Sequence, residues 1–130
     1  MYLFGGMYNY MSNTNQLHVF DFKSDSWTQA QTNNPPPNVD SHNCCLYGNQ
    51  MIVALGYSDQ EYQATIYSLD LDSLTWKVLF DPKKSKISHP QPRSQGTCCV
   101  HGDKLVIYGG KDSYTTFDDL WRFDFKSLTF

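Results

Sequence analysis

Few residues in this 130-residue chain carry reactive side chains, and their spacing decides what chemistry is open to them. The cysteines come as two adjacent pairs, Cys44-Cys45 and Cys98-Cys99. A structural zinc site needs thiolates two to four residues apart, so that both turn onto one ion. Adjacent residues of a strand point to opposite sides, so neither pair converges in that way. They are expected to be small packing side chains, buried in equivalent strands of neighbouring units. His18, His42, His89 and His101 are scattered, with no partner at a ligand or triad spacing. Asp21, Asp70 and Asp124 recur at one position of a repeat, which favours a structural duty. A carboxylate at the start of a turn accepts backbone N–H bonds. No glycine-rich phosphate loop leads into a helix. The reading is of a chain without catalytic residues, metal ligands or cofactor.

The elements that hold these residues follow from self-similarity. Tyr2-Leu3-Phe4-Gly5-Gly6, Val53-Ala54-Leu55-Gly56-Tyr57 and Val106-Ile107-Tyr108-Gly109-Gly110 line up, with Gly5, Gly56 and Gly109 spaced 51 and 53 residues apart. Phe20-Asp21-Phe22, Leu69-Asp70-Leu71 and Phe123-Asp124-Phe125 form a second set. Trp27, Trp76 and Phe130 each stand six residues after the aspartate. Cys44-Cys45-Leu46-Tyr47-Gly48-Asn49 is echoed 54 residues later by Cys98-Cys99-Val100-His101-Gly102-Asp103. Alternation and β-branched or aromatic content predict strands over 44–47, 51–55, 65–69 and 75–80 in the complete middle unit. Gly48-Asn49 and Gly102-Asp103 read as tight hairpins. No segment has an apolar stripe at helical period, so almost no helix is expected. Four antiparallel strands repeated every ~50 residues describe a β-propeller blade.

Composition narrows the function classes. Ten Lys and Arg against 13 Asp and Glu give a net charge of −3, which excludes a strongly basic nucleic-acid binder. Only 18% of residues are charged while 15% are aromatic, which suits a packed core rather than a disordered chain. The longest apolar runs, 51–55 and 105–108, fall far short of the ~20 residues of a membrane-spanning helix. The first six residues have no basic head and no long apolar stretch, so no signal peptide is expected. No Asn stands in an Asn-x-Ser/Thr acceptor site, and paired thiols suit a reducing compartment. A cytoplasmic location is the expectation.

These landmarks resemble the kelch repeat. Phe4-Gly5-Gly6, Phe20-Asp21 and Trp27 follow its pattern, as do Tyr108-Gly109-Gly110 and Phe123-Asp124. Pro92-Arg93 resembles the Pro-x-Arg segment that leads into the next blade. Gly56-Tyr57 in place of a double glycine, Leu69 in place of an aromatic, and Val39 at the place of Arg93 are departures. The expected architecture is all-β, a partial kelch propeller over 1–130. It divides into a partial blade (1–41), a complete blade (42–95) and a partial blade (96–130). Propellers close with 4–8 blades, so the chain reads as a fragment whose remaining blades come from the same or another chain. The resemblance implies a protein-interaction scaffold. The alternatives are part of a propeller enzyme, galactose-oxidase-like or acting on sugars or metabolites, with its active site outside this segment, and a glycan-binding surface at exposed tyrosines.

Strand direction places the working surface. The second-to-third-strand loops and the inter-blade loops share one face and are long, over 7–15, 31–41, 57–63, 81–95 and 111–118. Long loops on a rigid scaffold are where binding residues concentrate. Tyr8, Tyr10, Met11, Tyr57, Tyr62 and Tyr114 lie there, and tyrosine is favoured at protein contacts. The 81–93 segment sets Lys83, Lys84, Lys86 and Arg93 against Asp81, a charge that suits an acidic or phosphorylated partner segment. The proline run 35–37 reads as a stiff inter-blade spacer. The candidate partner-binding residues are the five tyrosines and these four basic residues.

Overall fold

The computed structural model describes residues 1–9 and 12–130. Among them every regular element is a strand. The first unit contains β1 (Tyr2–Phe4), β2 (Met7–Tyr8), β3 (Ser12–Asn13), β4 (Leu17–Asp21) and β5 (Ser26–Ala30). The second contains β6 (Asn43–Tyr47), β7 (Gln50–Ala54), β8 (Tyr57–Ser58), β9 (Glu61–Tyr62), β10 (Ile66–Asp70) and β11 (Thr75–Phe80). The third contains β12 (Thr97–His101), β13 (Lys104–Tyr108) and β14 (Leu120–Asp124). Three antiparallel sheets result, ordered β1-β4-β5, β11-β10-β7-β6 and β12-β13-β14. They stack as propeller blades and do not close a ring.

The blades are held by the period-two alternation of their strands. Along β7, Met51 and Val53 enter the core shared with the first blade, beside Phe4, Leu17, Val39, Leu69 and Trp76. Ile52 and Ala54 enter the core shared with the third, beside Ile66, Phe80, Leu105, Ile107 and Phe123. A strand packed on both faces reads as an unbroken apolar run, which is why residues 51–55 lack alternation. Equivalent residues at the two ends of the stack have no such cover. Trp76 is 3% exposed against the Phe4 ring, whereas Trp27 is 48% exposed. Phe4 is buried, whereas Tyr108 is half exposed.

Turn chemistry recurs from blade to blade. Asp21 accepts the Lys23 N–H at 2.9 Å, Asp70 those of Asp72 and Ser73 at 3.1 and 2.8 Å, and Asp124 those of Lys126 and Ser127 at 2.8 and 3.0 Å. The repeated aspartates are therefore turn caps. The spacer also behaves as expected: Pro36 is buried, its carbonyl takes the Asn15 Nδ2 hydrogen bond, and Asn33 pairs with Thr75 of the second blade.

Three expectations change. Backbone angles show that Leu55-Gly56, and not Gly56-Tyr57, matches the double glycine: φ is 65° at Leu55 and near 64° at Gly5 and Gly109, then 109° at Gly56 and 100° at Gly6 and Gly110. Leu55 thus carries a side chain in left-handed backbone, and that side chain is buried. Second, the 7–15 and 57–63 segments are not plain loops: β2-β3 and β8-β9 are two-residue ribbons, too short for alternation to register in sequence. Third, Cys44 and Cys99 are exposed, and only Cys45 and Cys98 are half-buried. Neighbours on one strand face opposite sides, so each pair has one thiol at the joint between the second and third blades and one turned away from it.

Candidate protein-binding face

The inter-blade segments and the ribbons lie side by side. Val39 pairs with Thr14, Asp40 with Tyr57, Arg93 with Gln63 and Ser94 with Lys111. Gly56 lets the segment through: a Cβ there would lie 2.7 Å from Val39 Cγ2 and 2.8 Å from the Asp40 carbonyl oxygen. This bonding fixes a continuous surface built from both kinds of segment.

At its centre stands the β8-β9 ribbon. Tyr57 and Tyr62 oppose each other across it, with ring centroids 5.1 Å apart in an edge-to-face arrangement. Its turn residues, Asp59 and Gln60, have φ of 49° and 66°. Both positive angles belong to a type I′ hairpin, a turn that strongly favours Asn-Gly. Two residues with side chains sit there instead, as non-glycine residues also do at Asp25, Leu74 and Leu128 in the turns of the opposite face. A cleft opens on each side. The first, about 360 Å³, is lined by Met7, Ser12, Asn13, Asp40, Tyr57, Asp59 and Gln60. The second, about 460 Å³, is lined by Gln60, Glu61, Tyr62, Gln91, Pro92, Asp112, Ser113 and Tyr114. Gln60 borders both, and the Tyr57–Tyr62 pair forms the ridge between them.

The other tyrosines flank this ridge. Tyr8 lies on β2 and is 56% exposed. Tyr114 is 97% exposed on a turn braced by Asp112, whose Oδ1 accepts the Tyr114 and Thr115 N–H groups at 2.8 and 2.7 Å. Tyr62 shares a 3.3 Å hydroxyl contact with Ser113 across the second cleft. Tyr10 and Met11 lie outside the described residues.

The four basic residues do not act as one group. Lys83 approaches Glu61 at 3.6 Å, joining the 81–95 loop to the ribbon, and Lys84 approaches Asp81 at 3.3 Å. Lys86 is exposed, with no ion pair among the described residues. Arg93 requires a correction, because its side chain is 1% exposed. Its NH1 and NH2 fork onto the Asp119 carboxylate, NH1 also donates to the Gly109 carbonyl at 3.2 Å, and Nε donates to that of Gln91 at 2.8 Å. The guanidinium lies 3.7 Å over the Phe117 ring. With these donors engaged inside the blade joint, Arg93 holds a structural position. Hydrogen bonds from Arg93 hold the Asp119 carboxyl below the ordinary carboxylate range.

Sequence reading missed Asn13, Asp40, Asp59, Gln60 and Gln91 as cleft residues. Asp40 is only 6% exposed and accepts the Asn13 Nδ2 hydrogen bond at 3.3 Å. The available signal was Asp40 following Val39, where Ser94 follows Arg93.

Stacked antiparallel units of three, four and three strands, turn-capping aspartates and a buried Arg–Asp joint define a kelch-type propeller segment. The chain belongs to the KLHDC2/KLHL20/DRC7 Kelch-repeats domain family, whose model matches residues 1–130. Kelch domain-containing protein 3 of Rattus norvegicus is 30% identical over 121 residues, covering 85% of this chain and 31% of that protein. Acyl-CoA-binding domain-containing protein 5 of Arabidopsis thaliana is 29% identical over 127 residues, covering 95% of this chain and 19% of that protein. Kelch domain-containing protein 10 of Xenopus tropicalis is 26% identical over 138 aligned positions, covering 98% of this chain and 32% of that protein. The chain spans about a fifth to a third of these relatives' length.

Proposed function

We propose that this segment is a protein-binding scaffold that seats a loop or peptide of its partner on the ribbon face. Kelch-repeat domains generally serve protein interaction, which supports the class. The carrying observation is the β8-β9 ribbon, whose two-residue turn raises the Tyr57–Tyr62 pair between two clefts. Tyrosines bury large area at low entropic cost, and anchors of this kind dominate binding energy. Tyr62 and Tyr114 would grip one cleft, and Tyr8 and Tyr57 the other. An acidic or phosphorylated group on the partner would meet Lys86 first. Lys83 and Lys84 would join it on leaving Glu61 and Asp81. Single alanine substitutions at Tyr8, Tyr57, Tyr62 and Tyr114 test the reading. The expected result is a 10- to 100-fold loss of partner affinity at two or more positions, about 1.4–2.8 kcal/mol each. Unchanged affinity at all four would end it.

Further blades, from the same or another chain, would cover the exposed Trp27 and Tyr108 ends, as the first blade covers Trp76. In sedimentation, the isolated 130 residues would then associate, whereas a well-folded monomer would oppose this. The thiol content favours a reducing, cytoplasmic setting, which localisation of the tagged full-length polypeptide checks.

A further inference from the structure

Cys45 on β6 and Cys98 on β12 face each other across the joint between the second and third blades, with their Sγ atoms 3.2 Å apart. The Cys45 sulfur also lies 3.3 Å from the Cys98 carbonyl oxygen. Both are free thiols, about 1 Å further apart than the sulfurs of a disulfide. We propose that Cys45 and Cys98 are an oxidation site, which a hydroperoxide converts to a disulfide joining the edge strands of two neighbouring blades.

The repeat explains why this couple forms. Cys45 is not the repeat counterpart of Cys98; Cys44 is. On β6, Cys45 points towards the third blade, and on β12, Cys98 points back towards the second. Two adjacent cysteines in each of two consecutive blades therefore place one facing couple at the joint, whichever side each strand presents. Cys44 and Cys99 are turned away and exposed. The two thiols also differ in acidity. A hydrogen bond from Cys98 lowers the Cys45 thiol below its ordinary range, while the same contact and then burial raise Cys98. At 3.2 Å either sulfur, once deprotonated, accepts the other's hydrogen bond, and Cys45 is the one that this contact favours as thiolate.

The reaction proceeds in two displacements. The Cys45 thiolate attacks the outer peroxide oxygen, the O–O bond breaks, and the remaining oxygen leaves as an alcohol or water after taking a proton. The Cys45 sulfenic acid that results is attacked by the Cys98 sulfur. The S–O bond breaks, water departs with the Cys98 proton, and the S–S bond forms. Two thiols lose two electrons and two protons in all, and the hydroperoxide takes them up.

The test uses the full-length polypeptide carrying Cys44→Ser and Cys99→Ser, treated with hydrogen peroxide at neutral pH, alkylated and digested with trypsin. The expected product is a linked peptide joining residues 24–77 to 94–104, lighter by two hydrogens and released by reductant. Its loss in Cys45→Ser and in Cys98→Ser is also expected. Recovery of both thiols fully alkylated, or of sulfinic acid at Cys45 without a link, would overturn the proposal. Fragment sequencing of the oxidised unsubstituted protein gives a second readout that does not depend on variants folding. A Cys45–Cys98 link supports the site, and a link through Cys44 or Cys99 overturns it.

Discussion

Arg93 and Asp119 close the joint between the second and third blades from within, with NH2 3.1 Å from Oδ2, NH1 on Oδ1, and the guanidinium lying over Phe117. One blade earlier the corresponding residues are Val39 and Thr65, placed by the Thr14–Val39 bridge and by Ala54 pairing with Ile66. There the joint is apolar, with Val39 buried beside Leu17 and Val53. The two joints use different physics at one position.

Removing Arg93 leaves Asp119 with the Trp121 Nε1–H hydrogen bond, 2.7 Å, but no counter-charge, and the Gly109 carbonyl without this donor. Arg93→Ala is expected to destabilise the fold by about 3 kcal/mol, towards the lower end for buried pairs because Asp119 keeps some contact with water. Arg93→Lys keeps the charge but cannot reproduce the fork or the stacking, so it should recover less than half of the loss. Urea denaturation of the three proteins checks both.

Glycines with similar φ signs should differ sharply in tolerance. A Cβ at Gly56 meets Val39, Asp40 and His42 within 2.9 Å, whereas one at Gly102 meets nothing within 4 Å. Gly102→Ala therefore costs only its backbone strain, about 1 kcal/mol. Gly56→Ala adds displacement of the inter-blade segment and should cost more than about 3 kcal/mol. Equal shifts in thermal midpoint would contradict this.

Stability should fall with acid in two stages. Burial lowers the pKa of His42 in the folded state, so the unfolded chain binds that proton first. Stability then starts to decline below about pH 6.5. Asp21, Asp70, Asp119 and Asp124 are held below the ordinary carboxylate range by the Lys23 N–H, the Ser73 N–H, the Arg93 side chain and the Lys104 side chain respectively. Their contribution is complete above about pH 4 and is lost as pH falls through their native values. Denaturant midpoints between pH 8 and 2 should show both stages, and His42→Gln should remove the upper one.

The ribbon turn should trade stability against binding. Replacing Asp59 with Asn and Gln60 with Gly supplies the residues that a type I′ hairpin prefers. The fold should gain about 1 kcal/mol, while partner affinity falls because Gln60 borders both clefts. Calorimetry and a binding titration on the same variant measure the two effects.

The blade repeat was legible because it rests on local rules: alternation in β10 and β11, hairpin glycines, and Asp70 at its turn. The glycine register was not, because Leu55 occupies left-handed backbone that sequence assigns to glycine. Tyr57 and Tyr62 could be placed on the long-loop face from strand direction, but their contact depends on a ribbon of two-residue strands. Arg93 misled because charge along a sequence says nothing of burial. Its fate was set by Asp119 and Phe117, 26 and 24 residues further on.

The most direct test of the account places a photo-crosslinking residue at one position at a time in the full-length polypeptide. Tyr62 and Tyr114 sample the ribbon face, and Asn49 and Asp25 sample the hairpin turns opposite. A partner adduct is expected at Tyr62 or Tyr114, none at Asn49 or Asp25, and the Tyr114 adduct should be lost when Tyr62 is changed to Ala. Adducts formed equally from both faces, or only from the hairpin turns, would contradict it.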